Sequence, residues 1–205
     1  MTQSSEQRRP AAQPDAELGP TTSDELSAAL ARLRDGFRAA PYPSYSERRD
    51  ALRSLLSEVK KRQPEIEAAV DEDFGGRSAH TTSLGDIFVT VDAIRFILAN
   101  LRAWMDPEAR SLALQFQPAS ARVEFQPRGV VGIISPWNYP VQLALMPLAY
   151  AIAAGNRALL KPSELTPRTS EALARLVRAA LGPDHALVAL GGVELGKAFA
   201  ALPLD

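Results

Sequence analysis

The stretch from Gly129 to Glu164 constrains this chain more than any other. It reads Gly-Val-Val-Gly-Ile-Ile-Ser-Pro-Trp-Asn-Tyr-Pro, then an apolar run, then Gly-Asn-Arg-Ala-Leu-Leu-Lys-Pro-Ser-Glu. Gly129–Ser135 is a continuous apolar run, as a parallel strand buried on both faces requires. Val141–Ala154 predicts a helix, with Ala144, Ala149, Ala151, Ala153 and Ala154 small enough to let it lie close on a sheet. Arg157–Lys161 is a second short strand. A buried strand thus ends in an Asn, a helix crosses over, and a second strand ends in a Lys and a Glu. Polar groups at the carboxyl ends of adjacent parallel strands are where open α/β sheets take up ligands.

The flanking segments extend this pattern. Thr166-Pro167 starts a helix carrying Leu173, Leu176 and Val177, which stops at Gly182-Pro183. Ala186–Leu190 reads as a third strand and Val193–Ala200 as a short helix. This alternation predicts a right-handed, doubly wound layout, and only half of a six-stranded dinucleotide fold. Upstream, Ser23 and Asp24 look like a helix start, followed by Leu26, Leu30, Leu33 and Phe37 at helical spacing. Pro41 and Pro43 break that helix. Ser44 or Ser46 caps a second, with Leu52, Leu55, Leu56 and Val59 on one face. Pro64 opens a third, ending near Phe74-Gly75-Gly76. A fourth runs from about Thr82 to Met105, with Ile87, Val91, Ile94, Leu98 and Leu101 on its apolar side. After Pro107, Ser111–Gln117 and Ala121–Gln126 alternate apolar and polar residues, which reads as a β-hairpin. It is either a brace of edge strands or a subunit-contact arm. The expected organisation is α/β: a disordered tail over 1–22, a helical layer over 23–106, a hairpin over 107–127, and the incomplete first half of a doubly wound parallel sheet over 128–205.

Composition narrows the function classes. A formal net charge of -1 gives no bulk electrostatic case for nucleic acid or an anionic membrane. No apolar run approaches the ~18 residues of a membrane span, and the N-terminus lacks the apolar core of a secretory signal. The expected location is cytoplasmic. The chain has no cysteine, so these residues hold neither a disulfide nor a thiol nucleophile. His80 and His185 sit apart in polar, turn-like contexts and read as ordinary surface or turn histidines, and no metal site is expected. Gly191-Gly-Val-Glu-Leu-Gly196-Lys197 has the spacing of a phosphate-binding loop. Ala198 stands where Ser or Thr should hold a magnesium ion, so a glycine turn before a helix is the better reading.

Two sets of residues carry the chemistry. Asn138 is either a cap before Pro140 or a neutral donor aimed at developing negative charge. Lys161 is one of four lysines in an Arg-rich chain, and Glu164 follows it three residues later. They form either a local salt bridge or a donor–acceptor pair suited to the cis-diol of a ribose.

At these residues the chain resembles the N-terminal part of an aldehyde dehydrogenase, from about Asp24 to Asp205. Gly129–Pro140 and Gly155–Glu164 are the most specific pieces. Tyr42-Pro-Ser-Tyr-Ser-Glu-Arg-Arg-Asp, Asp73-Phe-Gly-Gly-Arg-Ser, Trp104-Met and Arg122-Val-Glu-Phe-Gln-Pro-Arg-Gly look closest to the coniferyl aldehyde dehydrogenase subgroup. The resemblance implies NAD(P)-dependent oxidation of an aldehyde to the carboxylic acid. It implies that Asn138 binds the oxyanion of the thiohemiacetal. Lys161 and Glu164 would hold the adenosine ribose, with Ser163 in the same cofactor-binding set. Ile134, Ser135, Pro136 and Trp137 would line the cofactor's path. Gly129 and Gly132 would serve strand packing and turn geometry, and the hairpin would belong to the arm of a homodimer or higher homo-oligomer. NAD is favoured because Glu164 would repel a 2′-phosphate, and NADP is not excluded. The family's cysteine nucleophile and glutamate base would lie beyond these residues, so the expected chain is an N-terminal portion, inactive alone. The alternative is a non-catalytic nucleotide-binding or oligomerisation module, a fragment or pseudoenzyme. A downstream cysteine separates the two.

Overall fold

The computed structural model describes residues 19–205. Most of the tail expected over 1–22 lies outside the described residues. Its last residues are built into the fold instead. The Thr21 N–H donates to the Leu190 carbonyl at 2.7 Å, and its Oγ1 accepts from the Leu190 N–H at 3.0 Å. Thr22 then caps α1 (Ser23–Ala39) in a reciprocal box with Glu25. The helix starts at Ser23, as expected, with Thr22 as its cap, because the Thr22 hydroxyl is the one that meets a free N–H of the first turn.

The same device starts α2 (Tyr45–Lys61), where Ser44 and Glu47 form the box. The Ser44 hydroxyl and N–H hold the Glu47 carboxyl below its usual range. A carboxylate lowered in this way stabilises the fold above its unfolded value, and that contribution is lost as pH falls through the folded one. Ser44→Ala should cost about 1 kcal/mol at neutral pH. The cost should begin to shrink below the ordinary Glu value of about 4.3. Urea midpoints at two pH values check this; a pH-independent cost would show that Glu47 takes no part.

Pro64 lies in the first turn of α3 (Gln63–Phe74), which ends at Gly75 with φ 63°. The single helix expected from about Thr82 to Met105 is three pieces. They are α4 (Ala79–Thr82), a π-helical turn over Ser83–Phe88, and α5 (Val89–Met105). Its buried side carries Thr82, Asp86, Ile87, Thr90, Val91, Ile94, Ile97 and Leu101, while Leu98 is only partly buried.

The hairpin is present but displaced. β1 (Glu108–Arg110) pairs antiparallel with β2 (Ala121–Val123), Glu108 opposite Val123. The first strand thus precedes the expected Ser111–Gln117, and Leu114–Phe116 is a 3-10 turn. Alternation stabilises a strand only if one face is covered. Leu114 is 86% exposed and Phe125 71%, so among the described residues nothing rewards a longer ladder.

The main sheet is parallel, in the order β3 (Val130–Ile134), β4 (Arg157–Lys161), β5 (Ala186–Val188). Its crossovers are α6 (Gln142–Ala153) and α7 (Pro167–Leu181), and α8 (Val193–Ala200) follows β5. One core joins α2, α3, α5, α6 and α7 to one face of the sheet. On the other face, Leu26, Leu30 and Leu33 of α1 meet Val130, Leu159 and Phe199. The helical layer expected over 23–106 is therefore divided between both faces, as an all-parallel sheet demands. Asp205 donates its N–H to the Val130 carbonyl at 3.2 Å. Its carboxylate accepts from the Val130 N–H at 3.0 Å, on the side of β3 away from β4. Gly129 has φ 147°, and a Cβ at Gly132 would overlap Leu204. These glycines admit that last segment against β3. Among the described residues no helix is long and apolar enough to cross a membrane.

Candidate functional site

The register sets Ile134 opposite Lys161, and the Ser135 N–H donates to the Lys161 carbonyl at 3.1 Å. The carboxyl ends of β3 and β4 therefore lie side by side, and they present the two residue sets that the sequence singles out. The start of β3 is fixed from β4's side as well. Asn156 Oδ1 accepts from the N–H groups of Arg128 at 2.7 Å and Gly129 at 3.2 Å. Sequence reasoning gave Asn156 no part in this; its only signal was a polar residue beside Gly155 at the mouth of an apolar strand.

Beyond β3 the chain rises through Ser135, Pro136, Trp137, Asn138, Tyr139 and Pro140 before α6. Ser135 is 3% exposed, and its Oγ has no hydrogen-bond partner among the described residues. Ile134 is 58% exposed and Trp137 50%. Pro136 and Asn138 are also exposed. The Asn138 carboxamide makes no hydrogen bond to the described residues, and only its backbone carbonyl is engaged. It is not the cap of α6. That task falls to Asp86, whose Oδ1 accepts from the N–H groups of Val141 at 3.1 Å and Gln142 at 3.0 Å. Its Oδ2 accepts from Arg77 Nη2 at 3.2 Å. Burial pushes the Asp86 carboxyl above the usual carboxylate range, while the Gln142 N–H, Arg77 and the Val141 N–H oppose that rise. Sequence reasoning missed Asp86 and Arg77. The available signal was a lone charge in the row Thr82, Asp86, Thr90, Ile94, otherwise free of charge.

Lys161 is 3% exposed. Its ammonium donates to Glu164 Oε2 at 2.9 Å and to the Pro162 carbonyl at 3.1 Å. Glu164 is held below the usual carboxylate range, chiefly by that Lys161 bond and then by its own backbone N–H. Ser163 supports the turn: its carbonyl accepts from Ser170 Oγ at 2.9 Å and its Oγ from the Leu165 N–H at 3.2 Å. Beside this pair opens a cavity of about 250 Å³ lined by Pro20, Ser163, Glu164, Pro167, Leu190 and Gly191, among others. The Thr21–Leu190 bonds are what bring Pro20 into its wall. A larger hollow of about 820 Å³ lies at the other end of the sheet, between Trp104, Phe125 and Ala154.

The remaining motifs do not join the site. Gly192 precedes α8 without a side-chain cap, and Lys197 donates to Glu194 at 2.7 Å on the surface. That is a glycine turn before a helix. His185 lies in the turn before β5, its imidazole pushed to lower pKa first by burial and then by Arg157.

A family model described as "Aldehyde dehydrogenase family" matches residues 3–203. A probable coniferyl aldehyde dehydrogenase of Pseudomonas aeruginosa is 42% identical over 182 residues, covering 89% of this chain and 38% of that protein. A coniferyl aldehyde dehydrogenase of a Pseudomonas species is 41% identical over 186 residues, covering 91% of this chain and 38% of that protein. A substrate-bound structure of Staphylococcus aureus AldH superposes with a TM-score of 0.84 at 29% identity, covering 88% of this chain and 39% of that one. The chain thus spans about 38% of the length of the curated relatives it matches.

Proposed function

Since the chain belongs to the aldehyde dehydrogenase family, we propose that it is the N-terminal, cofactor-binding portion of an enzyme that oxidises an aldehyde to the carboxylic acid. The substrate class is aromatic aldehydes such as coniferyl aldehyde, the compound in the names of the two Pseudomonas relatives. The balanced reaction is aldehyde, NAD and water to acid, reduced NAD and a proton. The observation that carries this reading is the pairing of two strand ends, one bearing a free carboxamide and the other a buried ammonium bridged to a carboxylate.

Two features fit a dinucleotide. Lys161 donates and Glu164 accepts, which matches a ribose diol. The adjoining cavity is largely apolar and opens beside Gly191 and Gly192, and a Cβ at Gly192 would meet nothing within 4 Å. NAD bound there supplies the two-electron oxidant. This chain's residues would bind and orient: Lys161, Ser163 and Glu164 at the ribose end, and Ile134, Ser135, Pro136 and Trp137 along the path. The Asn138 carboxamide would donate to the oxygen that turns anionic when a thiolate attacks the carbonyl. That thiolate belongs to the remainder of the family length. The full-length enzyme is the polypeptide that carries both portions. Under this reading it works in the cytoplasm as a homodimer or higher homo-oligomer. The hairpin, with Leu114, Phe116, Val123 and Phe125 exposed, is its contact arm.

Steady-state kinetics with coniferyl aldehyde and both cofactors tests the assignment. Glu164→Gln should raise the KM for NAD with little change in kcat. It should also improve the relative use of NADP, since a carboxylate that disfavours a 2′-phosphate has been neutralised. Lys161→Ala should weaken both cofactors. A purely structural pair predicts unchanged KM values and a loss of stability alone, larger than the about 0–1 kcal/mol of an exposed pair because Lys161 is buried. That result would remove Lys161 and Glu164 from the site.

A further inference from the structure

The loop carrying Asn138 is gripped from one direction by a single stretch of chain, Phe74 to Asp86. Arg77 Nη1 donates to the Asn138 carbonyl at 3.0 Å, and Nη2 to Asp86 at 3.2 Å. Asp86 is 0% exposed and takes the N–H groups of both Val141 and Gln142. The Arg77 guanidinium lies 4.9 Å from the Phe74 ring centre and 5.1 Å from that of Tyr139. Phe74 in turn stands 6.2 Å from Trp137. Residue 85 is a glycine against Tyr139, where a Cβ would come within 3.0 Å of the ring. Trp137, Asn138, Tyr139, Val141 and Gln142 are therefore all held, through rings or backbone.

We infer that Asp86 and Arg77 are a positioning pair that aims the Asn138 carboxamide, an inference that rests on the role proposed above for Asn138. Two arguments separate this from ordinary scaffolding. A buried ion pair is a poor source of stability, because desolvation offsets most of the attraction. The Asn138 side chain is exposed and bonded to none of the described residues, so the fold holds it only through its backbone, which fixes the Cα–Cβ direction from which the carboxamide extends. Arg77 takes the carbonyl of Asn138 itself, and Asp86 takes the amides three and four residues later. The planar, forked guanidinium is suited to bridging Asp86 and a carbonyl at once, whereas an ammonium is a point charge on a flexible stem. A misplacement of about 1 Å at a reacting group can cost about 10²-fold in rate.

The test is a double-variant cycle in the full-length enzyme. Asp86→Asn keeps an oxygen for the two amides and removes the charge that holds Arg77. It should lower kcat at least about tenfold while leaving the dissociation constant for NAD, read by fluorescence titration, within about twofold. Combined with Asn138→Ala, it should add little further loss, because the group it aims is gone. Arg77→Lys, on a side chain that reaches the surface, provides a second variant should Asp86→Asn not fold, with the same expected pattern. If both variants keep wild-type kcat, or if their losses multiply with that of Asn138→Ala, the pair does not act through Asn138. Asn138→Ala at wild-type kcat would overturn this inference together with the site reading. A slow Asn138→Ala beside multiplying losses overturns the pair alone.

Discussion

Purified free of host enzymes, the 205-residue chain should form no reduced cofactor when coniferyl aldehyde and NAD are added. In the reaction the resemblance implies, a thiolate adds to the carbonyl carbon, and the resulting thiohemiacetal gives up hydride to the cofactor and becomes a thioester. The chain has no cysteine. No other group at the strand ends replaces it. Ser135 Oγ is buried, and no base among the described residues hydrogen-bonds to it to take its proton. The Lys161 side-chain nitrogen is already bonded to Glu164 and the Pro162 carbonyl. Aldehyde-dependent absorbance of reduced NAD, proportional to the amount of purified chain, would contradict the assignment of Asn138 and its neighbours to one half of a divided active site.

In the full-length enzyme, Asn138→Ala should lower kcat by about 10²- to 10³-fold, the range seen when one oxyanion donor is removed. The reason lies in when the bond forms. In the proposed role the free carboxamide would gain its charged acceptor only after attack, so its loss would be felt in the transition state and little in the ground state. The dissociation constant for NAD should stay near its original value. Stability should also hold, because the amides of α6 are capped by Asp86 and not by Asn138. Pre-steady-state kinetics and NAD titration together decide the matter. A raised NAD dissociation constant with unchanged kcat would make Asn138 a structural residue of the cofactor cleft.

The strand–helix–strand unit from Gly129 to Glu164 was legible because its signals are local. Continuous apolar runs mark doubly covered strands, and β4 is buried along its whole length. The polar residues that end those strands stand out for the same reason. Features set by distant partners were not legible. The pattern Leu26, Leu30, Leu33 announces a helix but not the sheet face it covers, since Val130, Leu159 and Phe199 lie more than ninety residues away in sequence. The hairpin's alternation was real, but alternation becomes a strand only where something covers one face. Thr21 looked like tail because its two partners are backbone groups of Leu190, and no side-chain pattern reports them. Asp86 was hidden differently: a charge on a helix reads as solvated until the segment it caps, fifty-five residues on, is folded over it.

The π-helical turn over Ser83–Phe88 acts as a phase shifter. Thr82, Asp86, Thr90 and Ile94 are all buried, yet they are spaced by four, and in an unbroken α-helix each such step rotates about 40° past a full turn. Three steps would carry the row about 120° around the axis, enough to turn one end of it away from the core. Because a π turn closes its hydrogen bonds at i→i+5, it holds more residues per revolution and takes up much of that drift. A helical wheel drawn at constant pitch from Ala79 to Met105 therefore misassigns faces upstream of Val89. Substitutions chosen from such a wheel would place polar side chains in the core and spare surface positions that are free to change.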